Sequence, residues 1–338
     1  MSQTAIIPSS PAPLVTVDQG DALIAFGEFL GLHVADGDAS EATLRTYKSN
    51  VQAFYQWATE RGIHPAYATS DDLVSYRRAL VESGVSRATV TARLDAARRF
   101  FEAAVWRGWR VDNPAAGLKA PRDKTAPEER IKFLPSDYLA RLLDACPTGS
   151  MGARDRAAVA LFCLQGPRVS ELAALNVDDV DLVSNPPTVR VRHGKGDKAR
   201  TLYLASVDSR ELRAWLAVRA DLVKTQSSTL YGPMDDALFI TTQPNQEGEP
   251  GRRLSDRSLR RRIDALLLES GLKRAGVSCH SLRHSFGTWS AAAGASVEAI
   301  STTLGHADIK TTGVYVKVAD RIKQNPAAAL EKFLGLAS

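Results

Sequence analysis

The stretch from Lys119 to Arg130 (KAPRDKTAPEER) constrains this chain of 338 residues more than any other. It holds two prolines and seven charged residues, and apart from the prolines no apolar side chain larger than alanine. Such a segment has nothing to place in a core and reads as an exposed linker. The chain is therefore expected to fold as two separately cored pieces, residues 18–118 and 131–338, joined by residues 119–130.

The first piece carries helical periodicity throughout. A short amphipathic helix is expected from Asp21 to His33, with Leu23, Ile24, Phe26 and Leu30 on one side. Ser40 can cap a second helix, in which Leu44, Tyr47, Val51, Phe54 and Ala58 recur at spacings of three and four until Gly62. Thr69 with Asp72 makes a capping-box start for a third helix through Leu73, Tyr76 and Leu80, which stops at Gly84. Ser86 opens a long fourth helix with Val90, Leu94, Ala97, Phe101, Ala104 and Val105 turned inward. Its other face carries Arg87, Arg93, Arg98, Arg99 and Arg107, and Asn113-Pro114 closes the segment. Residues 1–17, rich in proline and serine, read as a disordered tail without the basic start of a secretory signal.

Charge follows the same division. The net charge of +5 is mild, but residues 41–122 hold 13 Lys/Arg against 8 Asp/Glu, so one helical segment matches the excess of the whole chain. No apolar run approaches the roughly 20 residues that span a bilayer, and the longest, Ala157 to Leu164, is far shorter. Cys146, Cys163 and Cys279 have no C-x-x-C spacing and read as buried, reduced side chains of a cytosolic protein. The six histidines form no metal-ligand pattern with them.

The second piece mixes periods. Ser136 is expected to cap a helix through Leu139, Leu142 and Leu143, followed by a helix from Arg154 to Leu164. The chain then turns at Gly166-Pro167 and restarts as a helix through Val169, Leu172 and Leu175. Thr188 to His193 and Arg200 to Leu204 alternate like strands about a GKGDK hairpin, with a further short strand at Ala237 to Thr241. Helices are expected at Val207 to Val223 and Ser255 to Leu268, with a polar loop from Gln243 to Arg253.

Side chains able to act on a phosphodiester cluster in this piece. The reaction needs a nucleophile, a proton donor for the leaving oxygen, and cations about the phosphorane. Arginine suits the last role through paired, charge-assisted hydrogen bonds. Arg168 follows the Gly-Pro turn, Lys195 sits in the hairpin, and His280 and Arg283 share a helix face. His306 follows Leu304-Gly305, and Tyr315 lies in a V-Y-V run. Read one at a time, each has an ordinary explanation: a surface cap, a solvated lysine, a satisfied histidine, a core tyrosine. Asp178, Asp179 and Asp181 fit a solvated turn better than a metal site.

Taken together, QGPRVSELAAL, GKGDK, HSLRHSF and LGHADIKTTGVY, in this order behind a basic helical domain and a linker, resemble the tyrosine recombinase (phage integrase) family, in particular its two-domain Xer-type members. The resemblance covers roughly residues 20–320. It implies a mainly α fold with a small β-sheet: an N-terminal four-helix, SAM-like core-binding domain and a catalytic α+β domain, closing as a C-shaped clamp on duplex DNA. It further implies that Arg168 and Arg283 hold the scissile phosphate, Lys195 protonates the departing 5′-oxygen, and His280 activates or orients the nucleophile. His306 would donate to a phosphate oxygen, Glu171 would orient Arg168, and Tyr315 would attack to give a 3′-phosphotyrosine. No metal, cofactor or ATP is implied, since the covalent link conserves the phosphodiester energy.

The implied partners are double-stranded DNA bearing an inverted-repeat core site and three further copies of the chain in a synapse, alone or with a related recombinase, in the bacterial cytoplasm. Arg87, Arg93, Arg98, Arg99 and Arg107 are the candidate DNA-reading face. The apolar C-terminal residues Leu330, Phe333, Leu334 and Leu336 would dock on a neighbouring protomer, as in similar recombinases, or on their own domain. The short tail before the first helix argues against a lambda-like arm-binding domain. A type IB topoisomerase-like relaxing enzyme and a catalytically silent DNA-binding protein of the same fold stand as alternatives. Chromosome dimer resolution, plasmid resolution, and integration or transposition of a mobile element would use the same chemistry. Two departures stand out. Gln165-Gly166-Pro167-Arg168 replaces the usual T-G-[LM]-R, which puts the placement of Arg168 at issue, and GTWSAAAG follows HSLRHSF in place of an ATHL-like sequence.

Overall fold

The structure, a computed structural model, describes residues 18–123, 125–192, 199–226, 236–243 and 250–335. The chain divides between Lys124 and Thr125 into two compact units. The expected N-terminal tail, the tip of the hairpin with His193 and Lys195, and most of the polar loop after Gln243 lie outside the described residues.

Four α-helices build the first unit: α1 (Gln19–His33), α2 (Glu41–Thr59), α3 (Ser70–Glu82) and α4 (Arg87–Trp106). Each begins where a side-chain oxygen can satisfy an orphan backbone N–H. Ser40 accepts from Thr43 N and Ser86 from Thr89 N, while Thr69 and Asp72 bond reciprocally. The core is largely aromatic: the Phe54 ring lies 5.2 Å from Tyr76 and 5.7 Å from Phe101, both edge-on.

The inward stripe of α4 is wider than its sequence suggests, because Ala96, Phe100 and Ala103 are buried as well. Val105 falls at its edge and is 38% exposed, contrary to the inward placement expected for it. The arginine face is also not free. Arg98 bonds Asp95 and the Leu118 carbonyl, Arg99 bonds Glu102, and Arg107 pairs with Glu28 of α1. Arg87 is exposed with no ion pair among the described residues, and Arg93 lies near Tyr76.

The second unit opens with one helical turn, α5 (Pro127–Arg130), inside the segment expected as a linker. Glu128 of that turn meets Lys317 at 3.1 Å. Then follow α6 (Tyr138–Asp144), α7 (Gly149–Gln165) and α8 (Val169–Ala174). Ser136 is not the cap of α6: the helix starts after Asp137 without a side-chain cap, and the Tyr138 N–H bonds the Pro135 carbonyl.

An antiparallel sheet comes next, β1 (Val180–Asp181), β2 (Thr188–Val191) and β3 (Arg200–Tyr203), in that spatial order. β1 falls in the acidic stretch expected as a solvated turn. There Asp179 is buried, accepts from Asn176 N and pairs with Arg192 at 2.5 Å. The expected strand at Ala237 to Thr241 is absent: this buried segment makes only isolated bridges, Asn176 to Ala237 and Ile240 to Arg253, because both neighbours are irregular backbone.

α9 (Ser206–Gln226), α10 (Asp256–Glu269), α11 (Cys279–Ala292), α12 (Val297–Leu304), α13 (Lys310–Lys323) and α14 (Pro326–Phe333) complete the unit. α7 runs through the middle, buried on nearly all sides and packed against α9 and α11. Its own Phe162 shares a core with the fully buried Trp215, Phe239 and Leu282. A second, smaller cluster of Ala291, Ile300, Leu304, Tyr315 and Ala319 joins α11, α12 and α13. Among the described residues no helix is long and apolar enough to cross a membrane.

Candidate active site

The site forms where four chain turns meet: the end of α7, the start of β3, one face of α11 and the end of α12. α7 stops at Gly166, whose φ of 59° is left-handed and natural to glycine. A Cβ there would come within 2.8 Å of both Leu304 and Phe286, so the position also needs a glycine for space. Pro167 can follow because a helix has just ended, and Arg168 takes an extended φ and ψ of −72° and 151° as the residue before α8. The departure from the family pattern thus leaves Arg168 at a helix start. Gln165, standing where the family usually has threonine, bonds the buried Asp208 at 2.6 Å.

Three arginines converge on the end of α12, where helix carbonyls lack intrahelical partners. Arg200 Nε donates to the Thr303 carbonyl at 2.8 Å, Arg283 Nη2 to Leu304 at 2.8 Å, and Arg168 Nη2 to Gly305 at 3.4 Å. Three consecutive carbonyls thus receive one guanidinium each, and the negative end of the helix dipole favours those cations. Arg283 is 2% exposed and also donates to the Gly166 carbonyl at 2.6 Å, tying α7 to α12. Burial and the nearby Arg168 push its pKa down to about 10, so it stays a cation at neutral pH.

Glu171 is the one carboxylate in this group. It accepts from Arg168 Nη1 at 2.7 Å and from the Arg168 backbone N–H at 2.7 Å, and it pairs with Arg200. Burial raises its pKa, but the hydrogen bonds from Arg200 and Arg168 outweigh this and hold it below the usual range. With one anion among three arginines, the site keeps a surplus of fixed positive charge suited to an anionic ligand.

Three histidines, His280, His284 and His306, line this region. His280 is exposed at the start of α11, and its ring sits edge-on to His284 at 4.5 Å. Tyr315 shares its hydrogen bond with His284, whose Nδ1 lies 3.0 Å from the phenolic oxygen. His306 Nδ1 bonds the Thr312 hydroxyl at 2.8 Å, and its ring lies roughly parallel to that of Tyr315 at 6.2 Å. Burial and then neighbouring positive groups push His284 and His306 down to about 4, and the protein packed around the inner side of His280, with Arg283 and Arg168, lowers it too although its outer side reaches solvent.

Tyr315, in α13, is 3% exposed. Its ring lies against Gly287 of α11, where a Cβ would fall 2.6 Å from Cδ2. Burial raises its pKa and Arg283 opposes this.

Arg168, His280, Arg283, His306 and Tyr315 are thus gathered in one region, while Lys195 lies outside the described residues. Sequence reasoning passed over Arg200 and His284. Arg200 was legible only as a strand residue. His284 sits four residues after His280, on the same helix face, and that spacing was the available signal. Among the described residues no group of histidine, cysteine or acidic side chains could hold a metal ion.

Comparison with known proteins identifies the family. The sequence matches the phage integrase family over residues 132–321 and the phage integrase N-terminal SAM-like domain over residues 29–108. Tyrosine recombinase XerC of Chromobacterium violaceum is 33% identical over 285 residues, 84% of this chain and 86% of that protein. Tyrosine recombinase XerD of Bifidobacterium longum is 31% identical over 300 residues, 87% and 90% of the two chains. In fold, the chain resembles XerH recombinase in a post-cleavage complex with its palindromic difH substrate, with a TM-score of 0.66, 19% identity, and 96% and 100% of the two chains covered. It also resembles a lambda integrase tetramer on a Holliday junction, with a TM-score of 0.63, 17% identity, and 91% and 80% covered. On these matches the chain belongs to the phage integrase family: it is a tyrosine recombinase, an enzyme that cuts and rejoins DNA at specific sites through a Holliday junction.

Proposed function

We propose that Tyr315 is the nucleophile of this recombinase and forms a 3′-phosphotyrosyl link with the cleaved strand. Arg168 and Arg283 would bear on the scissile phosphate, His280 and His306 would donate to its oxygens, and Lys195 would protonate the leaving 5′-oxygen. The observation that carries the reading is the convergence of Arg168, Arg283, His306 and Tyr315 about the ends of α7 and α12. Fixed donors of this kind stabilise charge that develops in a transition state, at about 3 kcal/mol for each donor. Arg283 contributes through a guanidinium already held by two carbonyls, so little reorganisation is left for the reaction.

Glu171 orients Arg168 in this scheme. It grips both the backbone N–H and the guanidinium of the same residue, which fixes the turn and the side chain together.

The DNA partner would be a duplex with inverted-repeat half-sites in the bacterial cytoplasm, bound by two copies of the chain, with four copies in the synapse. The α4 arginines would contribute chiefly through phosphates, with Arg87 the best placed. A nicked suicide duplex tests the chemistry: wild-type chain should be trapped as a covalent adduct that is stable to denaturant and lost in Tyr315→Phe. An adduct that persists in Tyr315→Phe would overturn the assignment.

A further inference from the structure

Tyr315 lies along one face of α11, where His280, Arg283, His284 and Gly287 follow at intervals of three, one and three residues. Gly287 lets the ring lie against the helix backbone, and His284 meets the hydroxyl at its end. The contact of 3.0 Å between Nδ1 and the phenolic oxygen is within the reach of a proton transfer. His280 is turned edge-on to the His284 ring and reaches solvent, and no described hydrogen bond joins it to Tyr315.

We propose that His284 is a catalytic residue that accepts the Tyr315 proton as the phenolic oxygen attacks DNA. This rests on the reading of Tyr315 as nucleophile. The O–H bond of Tyr315 breaks and its proton passes to Nδ1, while the oxygen forms the new bond to phosphorus. The 5′-oxygen leaves with the former P–O electron pair and takes a proton from Lys195. Rejoining runs in reverse: the 5′-hydroxyl gives its proton back to Lys195 as its oxygen attacks phosphorus, and the phenolic oxygen departs with the P–O electron pair and recovers its proton from His284.

The surroundings make the step depend on substrate. The charged and titratable groups facing His284 are His280 and Arg283 on its own helix, His306 beyond the end of α12, and Tyr315 on α13. Without DNA, burial and these positive neighbours keep the imidazole neutral, so its Nδ1 can accept from the Tyr315 hydroxyl but is only weakly basic. A phosphodiester anion held by Arg168 and Arg283 offsets that charge and strengthens the base. The tyrosine would then be deprotonated only when a phosphate is present to be attacked, which protects a buried nucleophile from idle ionisation.

The test is single-turnover cleavage of a nicked suicide duplex carrying the chain's own site, obtained by selecting covalently trapped duplexes from a random-sequence pool. Full-length wild type, His284→Ala, His284→Asn and Tyr315→Phe are compared across pH, with DNA affinity measured by mobility shift. Asparagine keeps a hydrogen-bonding atom near the Nδ1 position but cannot take a proton at neutral pH. Both His284 variants are expected to bind DNA normally and to cleave about 100-fold or more slowly near neutrality, with the deficit shrinking as pH rises and tyrosine ionises unaided. A His284→Asn rate within about threefold of wild type, or a deficit equal at every pH, would overturn this inference and leave the role of Tyr315 intact. An adduct in Tyr315→Phe would instead overturn the reading on which it rests.

Discussion

Arg200 and Glu171 form a two-pronged ion pair, Nη1 to Oε1 at 3.1 Å and Nη2 to Oε2 at 2.8 Å, almost out of reach of water. The same carboxylate holds Arg168, and the same guanidinium holds the Thr303 carbonyl. One acid thus links the start of α8, the start of β3 and the end of α12.

Removing one partner of such a pair leaves the other charged and buried. Glu171→Gln should therefore destabilise the second unit by about 3–5 kcal/mol, read by denaturant unfolding. Cleavage should fall with it, because Arg168 loses the bonds to its side chain and its backbone. Arg200→Lys, which cannot form the two-pronged pair, should show the same direction with a smaller loss. Unchanged unfolding in Glu171→Gln would show that the pair has no net structural role.

Gly287 gives a cleaner probe of the nucleophile. Alanine raises helix propensity by about 1 kcal/mol at an interior position, yet its Cβ would fall on the Tyr315 ring close to its root. The ring must shift, and a displacement near 1 Å can cost about 100-fold in rate. Gly287→Ala should bind DNA like wild type and cleave about 100-fold more slowly, as measured on the suicide duplex.

How much of this was legible beforehand depends on whether the signal was local. Ser40, Thr69 and Ser86 each start a helix because the cap and the N–H it serves are three residues apart, and all three are plain in the sequence. The acceptance of HSLRHSF and LGHADIKTTGVY as parts of one site came from the family resemblance. Contacts that join distant segments were not legible: Arg200 with Glu171 is 29 residues apart, and His284 with Tyr315 is 31. β1 escaped notice because two residues show no period, and Val105 because a stripe's edge depends on its neighbours.

The histidines give a pH signature. His284 and His306 ionise near 6.5 in an unfolded chain but only near 4 in the fold. Between those values the unfolded chain binds more protons, so stability rises with pH. Their contribution is complete above about pH 6.5 and is lost as pH falls through the window. Glu171, depressed in the fold, adds a further loss below its unfolded value of 4.5. Isothermal unfolding should show stability falling from about pH 7 to about pH 4.5, more shallowly in His306→Gln.

The α4 arginines should separate by their partners. Arg87 is exposed, so Arg87→Ala should weaken binding to any duplex and reduce the salt slope of log affinity by about one. Arg98 instead holds Asp95 and the Leu118 carbonyl. Its replacement by alanine should cost about 1.5–3 kcal/mol of stability in the first unit, with a lesser effect on the salt slope. Equal salt slopes for the two variants would contradict this division.

The C-terminal helix separates folding from assembly. Phe333 is 85% exposed and Leu330 55%, so Phe333 gains little from burial on its own domain and Leu330 only part of what it could. A helix whose apolar side chains face water is poorly stabilised alone, and covering them on a second copy would remove that apolar area from solvent. Phe333→Ala should leave the unfolding free energy of the isolated chain within about 0.5 kcal/mol of wild type. It should lower the fraction of protein in multimeric complexes on DNA, measured by sedimentation of chain mixed with its selected duplex. If the helix instead docks on its own domain in solution, the same substitution should cost about 3–5 kcal/mol of stability, and assembly would change only as folding does.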